Sequence, residues 1–457
     1  MGFESPAFLA LPDKALWALP PNHLPAFITP PPAGSIPFAP LFDIPEHIYQ
    51  AVLDPRVPLT IAAVYAVSAK LLNVYNKSTN KKPWAISKTA AFHWFVIAHN
   101  VFLAVYSAWT FYGMFYTLKR SLVSPLGPHG LSGFIDSVCR VNGPGGLGNA
   151  AFWDDESSSW QTFSADAVFD ADGAPSRLSS GRMWNEGLAF YGWIFYLSKF
   201  YEVIDTLIIL AKGKLSSTLQ TYHHAGAMMC MWAGIRYMSA PIWVFVFVNS
   251  GIHAMMYTYY TITAFRIRVP MFIKRSLTSL QIMQFIFGAS YGMVHPFVSY
   301  SIPVLFTSSQ SNSASASASA SVGTNASAAA MNGVKTPYSS HTMPCITSNS
   351  ATFAVWLNVL YLAPLTYLFG SFFVESYLRR SNADIKAGKG AAARRLSNNV
   401  VIAEKAGWEA AKSVNREVYG ESNEEAIETD TDHNAQPIAR RSANGKAKAA
   451  RTLRSRQ

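Results

Sequence analysis

The sequence predicts an all-α, polytopic membrane protein with about seven transmembrane helices around a central polar site. Half of the 457 residues are hydrophobic, and only 14% are charged, which is few for a soluble chain of this length. Long apolar segments recur along the chain, and several contain polar residues at helical spacing. Since lipid offers no hydrogen-bond partners, these residues should face a shared protein interior.

Seven apolar segments are long enough to cross about 30 Å of hydrocarbon at about 1.5 Å per residue. We expect them at residues 57–75, 91–118, 187–211, 219–238, 241–265, 277–298 and 352–374. They define a membrane domain over 57–374, between a Pro-rich arm (1–56) and a polar tail (375–457) expected to be disordered. A long polar loop (119–186) and a Ser/Ala-rich low-complexity loop (299–351) interrupt the domain. No cleavable signal peptide is expected.

Basic residues in the loops predict the orientation of the chain. They follow the first, third, fifth and seventh segments, which lie on one side of the membrane if there are seven spans. By the positive-inside rule that side is the cytoplasm, so the C-terminus is cytoplasmic and the N-terminus and both long loops are on the other face. The same distribution accounts for the net charge of +11 without nucleic-acid binding. The residues are Lys77, Lys81, Lys82, Lys88, Lys212, Lys214, Arg266, Arg268, Lys274, Arg275, Arg379 and Arg380.

The third segment contains an unusual set of polar residues, Lys199, Glu202, Asp205 and Thr206. An ionisable residue in mid-membrane costs about 3 kcal/mol, so three of them require compensation or a function. Spacing of three predicts a ladder that places Lys199 beside Glu202 and Glu202 beside Asp205. A purely structural ion-pair ladder is the alternative, although buried ion pairs stabilise poorly.

Three later segments add further polar groups. Spacing of four places an amide, an imidazole and a phenol on one face of the fifth segment, and spacing of three pairs two amides on the sixth. Taken singly, the histidines could be interfacial residues or satisfied interhelical donors, and the amides could join helices. Their occurrence on successive segments favours one shared site. The residues are Gln220, His223 and His224, then Asn249, His253, Tyr257 and Tyr260, then Gln281 and Gln284.

Two other classes of membrane protein are alternative interpretations of these residues. Paired histidines suggest a di-iron desaturase or hydroxylase, but such sites need many imidazoles or carboxylates at short helical spacing, and the sequence has no HxxxH and no complete HxxHH motif. A seven-helix receptor or carrier would need a ligand pocket but no nucleophile. The three cysteines form no CxxC or Cys/His pair at zinc-ligand spacing, so no metal site is expected.

At these residues the chain resembles the ELO family of very-long-chain fatty acid elongases of the endoplasmic reticulum. The resemblance rests on KFYEVIDT (199–206), NSGIHAMMYTYY (249–260), TSLQIMQF (278–285) and the paired histidines of QTYHH (220–224). It covers about residues 57–300 and the last span. The HxxHH box of the family begins here with Gln220, whose amide can hydrogen-bond but cannot titrate or accept an acyl group.

The resemblance implies a very-long-chain 3-oxoacyl-CoA synthase, which condenses a long-chain acyl-CoA with malonyl-CoA and requires no cofactor. His223 and His253 are then expected to act as nucleophile or general base, with Asn249 orienting His253. Lys199, Gln281 and Gln284 would bind substrate oxygens. His224 would belong to the catalytic group and, with Glu202 and Asp205, would set its tautomers and charge. The substrate-binding set would also include Glu202, Asp205, Thr206, Gln220, Tyr257 and Tyr260. Aromatic side chains of spans two to seven would line an acyl tunnel. The implied partners are a ketoacyl reductase, a dehydratase and an enoyl reductase in the same membrane; a homo-oligomer is left open.

A disulfide between Cys139 and Cys345 is the last expectation. Both cysteines lie in loops that the predicted orientation places in the oxidising lumen, whereas Cys230 lies within the fourth span. Two free thiols remain the alternative, because loop geometry is unknown from the sequence. On the same face, Asn325 in Asn-Ala-Ser is an expected glycosylation site, and Asn76 in Asn-Lys-Ser should remain unmodified on the cytoplasmic side.

Overall fold

The computed structural model describes residues 7–165, 167–305 and 338–386. Side chains are not described at 271, 272, 274, 275, 278, 305, 338, 339 and 368–386. Within these ranges the chain is mainly helical. The helices are α1 (Glu46–Val52), α2 (Arg56–Ser78), α3 (Ala90–Ser121), α4 (Gly130–Cys139), α5 (Ala189–Tyr201), α6 (Val203–Ala211), α7 (Thr218–Arg236), α8 (Ile242–Val244), α9 (Ser250–Ala264), α10 (Met271–Val294) and α11 (Asn349–Lys386).

Each predicted apolar segment corresponds to one helix or to a short series of helices. The third is divided, because α5 ends at Tyr201 and α6 begins at Val203. The fifth consists of α8, a π-helical turn (Phe245–Asn249) and α9. The seventh runs as α11 to Lys386, past the predicted end at residue 374, so the first residues assigned to a disordered tail are helical. Residues 387–457 lie outside the described part of the chain.

Two of the described helices, α2 and α3, have the length and apolar composition needed to cross a membrane. Both are largely exposed, unlike the core helix of a soluble protein. Their exposed side chains are mostly large and apolar, which is the composition that lipid requires. We therefore describe the chain as a membrane protein. The exposed residues on α2 include Leu59, Val64, Val67, Leu71 and Val74, and those on α3 include Trp94, Phe95, Phe102, Val105 and Tyr112.

The helices pack as a bundle with one dominant core. The helix α3 lies along α9, α10 lies along α11, and α7 contacts α2, α5 and α11. The largest buried cluster includes Trp184, Phe190, Trp193, Tyr196 and Trp232. Several of these aromatic side chains also donate hydrogen bonds to the backbone of the N-terminal region, as Trp184 does to Ile28 O at 2.8 Å and Trp232 to Leu53 O at 2.8 Å. The Pro-rich arm is thus fixed against the bundle rather than separate from it.

Two small β-sheets depart from the expected all-α architecture. The strands are β1 (Ala7–Leu9), β2 (Ala151–Asp154), β3 (Ser159–Thr162), β4 (Val298–Leu305) and β5 (Tyr338–Pro344). An antiparallel sheet has the order β1-β4-β5, and β2 pairs with β3 as a hairpin. The loop 299–351, expected to be low-complexity throughout, therefore has ordered strands at both ends. Its Ser/Ala run falls within residues 306–337, outside the described part.

The long loop after α3 is also ordered and joined to this sheet. Arg182 donates to Asp136 Oδ2 at 2.6 Å, and the Tyr300 hydroxyl donates to Asp136 Oδ1 at 2.8 Å, all three residues being buried. Cys139 and Cys345 form a disulfide with their Cα atoms 4.8 Å apart, within the usual range of about 4.4 to 6.8 Å. These bonds connect the segments that the sequence assigns to the luminal face.

The opposite helix ends are joined through Asn76, near the end of α2. Its amide donates to Leu210 O and Lys214 O, each at 2.8 Å, and its oxygen accepts from Trp84 Nε1 at 2.8 Å. The loops after α2 and α6 are therefore packed together, as expected if their lysines share one face. Asn76 is buried and both polar atoms of its side chain are hydrogen-bonded, so a glycan there would be incompatible with this fold.

Candidate active site

The charged residues of the third segment meet where that segment breaks. Glu202 stands between α5 and α6, and its Oε1 accepts hydrogen bonds from Lys199 Nζ at 2.7 Å and Ser198 Oγ at 3.0 Å. The Lys199 ammonium also lies 4.1 Å from the centroid of the Phe195 ring. Both charged side chains are almost completely buried. The pairing of Lys199 with Glu202 that spacing of three predicts is therefore present.

Asn249 extends this network from the π-helical turn that precedes α9. Its Oδ1 accepts from Lys199 at 3.3 Å, and its Nδ2 donates to Gln284 Oε1 on α10 at 3.1 Å. We expected Asn249 to orient His253, but its described hydrogen bonds go to Lys199 and Gln284. The π-helical turn ends at Asn249 and α9 begins at Ser250, so the spacing of four to His253 runs along a regular helix and the orienting role of Asn249 stays a prediction. π-Turns are frequent at functional sites.

His253 is instead adjacent to Glu202. Its Nδ1 lies 3.5 Å from Glu202 Oε1, a distance for an ion pair rather than a well-formed hydrogen bond. Gln281, which we expected to bind substrate oxygens together with Lys199, donates to Met256 Sδ at 3.2 Å. One carboxylate oxygen thus stands between an ammonium group and an imidazole. Glu202 thus contacts Lys199 and His253, and Asn249 and Gln284 continue the network from Lys199.

Asp205 takes part in a second, neighbouring cluster. Its two oxygens lie 2.8 Å from His99 Nε2 on α3 and 2.6 Å from the Tyr257 hydroxyl on α9. The described hydrogen bonds of Asp205 thus go to α3 and α9, and its predicted place beside Glu202 stays a prediction. The Tyr257 ring is 5.7 Å from the His253 ring and 6.2 Å from the Tyr260 ring.

Thr206 connects this second cluster to the paired histidines. The hydroxyls of Thr206 and Tyr65 on α2 are 2.9 Å apart, and the Tyr65 ring meets the His224 ring edge-on with centroids 6.0 Å apart. His224 is buried, and its ring lies 5.4 Å from that of His223. His224 therefore packs toward α2.

His223 is oriented by the last helix. Its Nδ1 lies 2.9 Å from the hydroxyl of Tyr361, and that hydroxyl donates to the His223 carbonyl oxygen at 2.8 Å. The Phe285 ring of α10 approaches the imidazole edge-on at 6.1 Å. Both sides of the imidazole are thus in contact with neighbouring helices, which limits its rotation.

Gln220 occupies the first turn of α7, where the family box has its first histidine. The helix is capped by Ser217, whose hydroxyl accepts from Gln220 N at 3.0 Å. The side-chain oxygen of Gln220 accepts from Ser216 Oγ at 3.3 Å, and its Nε2 has no hydrogen-bond partner among the described residues. Gln220 is only 1% exposed. The buried amide is thus only partly satisfied.

Three residues of the site were not predicted. His99 was noticeable in the sequence as a histidine within an apolar span, but spacing alone could not connect it with Asp205. No sequence pattern indicated a functional role for Tyr65 or Tyr361, since isolated tyrosines in apolar helices are usually packing residues. Within the described residues, the group suited in composition and spacing to hold a metal is Cys139, His295 and Cys345, where the two sulfurs are bonded to each other. The site histidines are not part of that group.

Comparison with known proteins gives matches to the same family that the motifs resemble. A family model described as ELO: GNS1/SUR4 family matches residues 50–385. Very long chain fatty acid elongase 3 of Homo sapiens is 35% identical over 105 residues, covering 23% of this chain and 39% of the relative. Fatty acid elongase 2 of Trypanosoma brucei brucei is 29% identical over 199 residues, covering 43% and 59%.

Very long chain fatty acid elongase 6 of Drosophila melanogaster is 33% identical over 124 residues, covering 27% of this chain and 38% of that protein. These matched segments span less than two thirds of the relatives' lengths, and no solved structure gives a significant match. The family model, in contrast, extends over most of the chain and includes every helix that supplies the site. The chain belongs to the ELO (GNS1/SUR4) family.

Proposed function

We propose that the protein condenses a long-chain acyl-CoA with malonyl-CoA. The acyl carbonyl carbon forms a bond to C2 of malonyl-CoA, while the acyl thioester and the bond between C2 and the malonyl carboxylate break. With one proton taken up, the products are a 3-oxoacyl-CoA longer by two carbons, carbon dioxide and free CoA. The observation that most supports this is the buried network around Glu202, together with the names of the relatives.

The proposed reaction needs a nucleophile or base and donors for a developing enolate or oxyanion. His223 and His253 are assigned the first role, because each has one ring nitrogen next to a defined polar group, Tyr361 or Glu202. Lys199 is assigned the second role; Asn249 accepts from it through Oδ1 and is itself held by Gln284. A largely buried site also favours decarboxylation, since the malonate carboxylate loses its water there.

Gln281 bonds to Met256 rather than to this network, so its proposed substrate contact would require a change of rotamer. Asp205, Thr206, Tyr257 and Tyr260 are assigned a supporting role in place of direct substrate binding. They anchor α6 and α9 to α2 and α3 through side chains that are mostly engaged with protein partners. His224, which packs against Tyr65, is likewise assigned a supporting role.

The CoA phosphates are assigned to the basic loops after α2 and α6. These loops are held together through Asn76, which brings their lysines to one end of the bundle. Burial lowers the pKa of Lys212 below its usual value. A phosphate group beside Lys212 would favour its charged form, so this residue is suited to an anionic ligand. The acyl tail is assigned to a tunnel among the apolar helices.

We also propose seven membrane spans in the endoplasmic reticulum, with the N-terminus luminal and the C-terminus cytoplasmic. A ketoacyl reductase, a dehydratase and an enoyl reductase would then process the product, whose 3-oxo group must be reduced. Glycan mapping tests the orientation: a glycan at Asn325 supports it. A glycan at Asn76 instead of Asn325 would contradict the orientation. Proteolysis of the C-terminal tail from the cytoplasmic side of sealed microsomes is the second measurement.

The activity is tested with membranes that contain the protein, labelled malonyl-CoA and a panel of saturated and unsaturated acyl-CoAs. The expected products are 3-oxoacyl-CoAs two carbons longer than the substrate, with one carbon dioxide released per product. Membranes containing the double variant His223→Ala/His253→Ala are the control. Absence of product with every acyl-CoA would contradict the proposal. An oxidised acyl chain whose formation is blocked by an iron chelator and restored by iron would favour a desaturase.

A further inference from the structure

The contact between Tyr361 and His223 determines which nitrogen of the imidazole has the proton. The Tyr361 hydroxyl donates to the His223 carbonyl oxygen at 2.8 Å and lies 2.9 Å from His223 Nδ1. A carbonyl oxygen can only accept, and a phenol has a single proton. With that proton directed to the carbonyl, the phenol oxygen can only accept from Nδ1. In the neutral imidazole, Nδ1 then has the hydrogen and Nε2 has the lone pair.

The neighbourhood of Tyr361 keeps this phenol in place. The ring stacks on that of Tyr222 with centroids 5.4 Å apart, and the Tyr222 hydroxyl donates to Tyr361 O at 3.1 Å. Gly226, one turn after Tyr222, has no side chain, and a Cβ there would overlap the Tyr361 ring. The last helix is thus packed closely against α7 at the turn that contains the paired histidines.

The second nitrogen of His223 remains available. Among the described residues, none forms a hydrogen bond to His223 Nε2, and the side chain is only half-buried. Both chemical roles proposed for His223 require a lone pair there, either to attack a thioester or to accept a proton. A histidine without a fixed partner would distribute its proton between both nitrogens, and one of the two tautomers would be inactive in this geometry.

We propose that Tyr361 is a positioning residue that holds His223 in the Nδ1-protonated tautomer and so leaves the lone pair on Nε2. The expected effect on kcat rests on the proposed condensation. The assignment of the tautomer does not, because it follows from the contacts of Tyr361. Tyr361 does not take part in the chemistry in this account. It acts through the orientation and protonation of His223, as the partners of catalytic histidines generally do.

Two phenol-to-phenyl variants provide a matched pair. Tyr361→Phe removes the partner of His223 Nδ1, while Tyr222→Phe removes a hydroxyl from the same stacked pair that bonds only to backbone. We expect Tyr361→Phe to lower kcat by about tenfold to a hundredfold with nearly unchanged KM for both substrates. Tyr222→Phe should retain both constants. A near wild-type kcat in Tyr361→Phe would overturn the proposal.

Nitrogen-15 NMR of the full-length protein with labelled histidine gives an independent readout. The His223 signals are assigned by their loss in His223→Gln. We expect a protonated Nδ1 and an unprotonated Nε2 in the wild type, and a mixture of tautomers in Tyr361→Phe. A proton on Nε2 in the wild type would overturn the proposal even if every variant failed to fold. If the wild type lacks condensing activity, the proposed function fails, and these spectra still decide the tautomer.

Discussion

One carboxylate oxygen of Glu202, Oε1, lies 3.5 Å from Nδ1 of His253. The same oxygen is 2.7 Å from the Lys199 ammonium, so a single anion stands between two groups that are cationic when protonated. All three side chains are buried. Glu202 therefore balances charge in the bundle and also lies next to a proposed catalytic imidazole. Its replacement should affect both stability and activity.

Glu202→Gln should reduce both stability and activity. The amide keeps the size of the side chain but leaves the Lys199 ammonium buried without an opposite charge. Leaving one partner of a buried ion pair uncompensated typically costs about 3 to 5 kcal/mol. We expect lower abundance in the membrane, a lower melting temperature in detergent and loss of condensation. Wild-type stability in this variant would show that Lys199 is neutral or has another counter-charge.

Lys199→Met should lower condensation more than stability, because it removes a substrate-oxygen donor while Glu202 retains Ser198 and His253 as neighbours. The double variant Lys199→Met/Glu202→Gln is the decisive comparison. Without either charge, it should regain much of the stability lost in Glu202→Gln while remaining inactive. Recovery of activity together with stability would assign the pair a structural role only.

His223→Ala and His253→Ala should each lower condensation by at least about a hundredfold, the usual range for loss of a general base or nucleophile. Abundance in the membrane should stay near that of the wild type, since neither residue forms part of the apolar core. His93→Ala, on the exposed face of α3, is the matched histidine control and should be unaffected. Turnover within a few fold of wild type in either variant would exclude the role assigned to that histidine.

Gln220→His should remain active. The amide uses its oxygen with Ser216 but leaves Nε2 without a described partner, so an imidazole of similar volume loses at most one weak hydrogen bond. Restoring the family residue tests whether glutamine has a specific function here. Steady-state condensation, normalised to the amount of protein, is the measurement. Complete inactivity of Gln220→His would show that the amide itself is required.

The sequence was informative about the helices and about which of them bear polar residues. Helical spacing correctly paired Lys199 with Glu202, because α5 is regular up to Tyr201. It did not indicate that Asp205 bonds His99 and Tyr257, or that Asn249 bonds Lys199 and Gln284, because these partners lie on other helices.

Contacts between distant segments were beyond the reach of spacing. Tyr361 is 138 residues from His223 along the chain, and His99 is 106 residues from Asp205. No periodicity within one helix encodes such a pairing. The strands β4 and β5 were missed because a Ser/Ala-rich run obscured the short β-forming segments on either side of it. Their pairing depends on the neighbouring loop and the N-terminal arm, which the sequence alone does not place together.

The disulfide between Cys139 and Cys345 closes a sequence separation of 206 residues and joins the loop after α3 to the end of β5. It is not the only connection there. Arg140 donates to Cys345 O at 2.8 Å and also bonds Pro344 O, and Asn349 N donates to Asp155 Oδ2 at 2.6 Å. Because these bonds persist when the disulfide is absent, Cys139→Ser should fold, with a loss of about 2 to 4 kcal/mol.

Thiol labelling of denatured protein tests whether the disulfide forms in the cell. Without reductant, one thiol should label, that of the buried Cys230, and all three cysteines should label after reduction. In Cys139→Ser, Cys345 should label together with Cys230 before reduction. The melting temperature of this variant should be lower than that of the wild type, and the two proteins should become similar once both are reduced. Labelling of all three wild-type thiols without reductant would show that the disulfide is absent, and it would contradict the luminal placement of both loops.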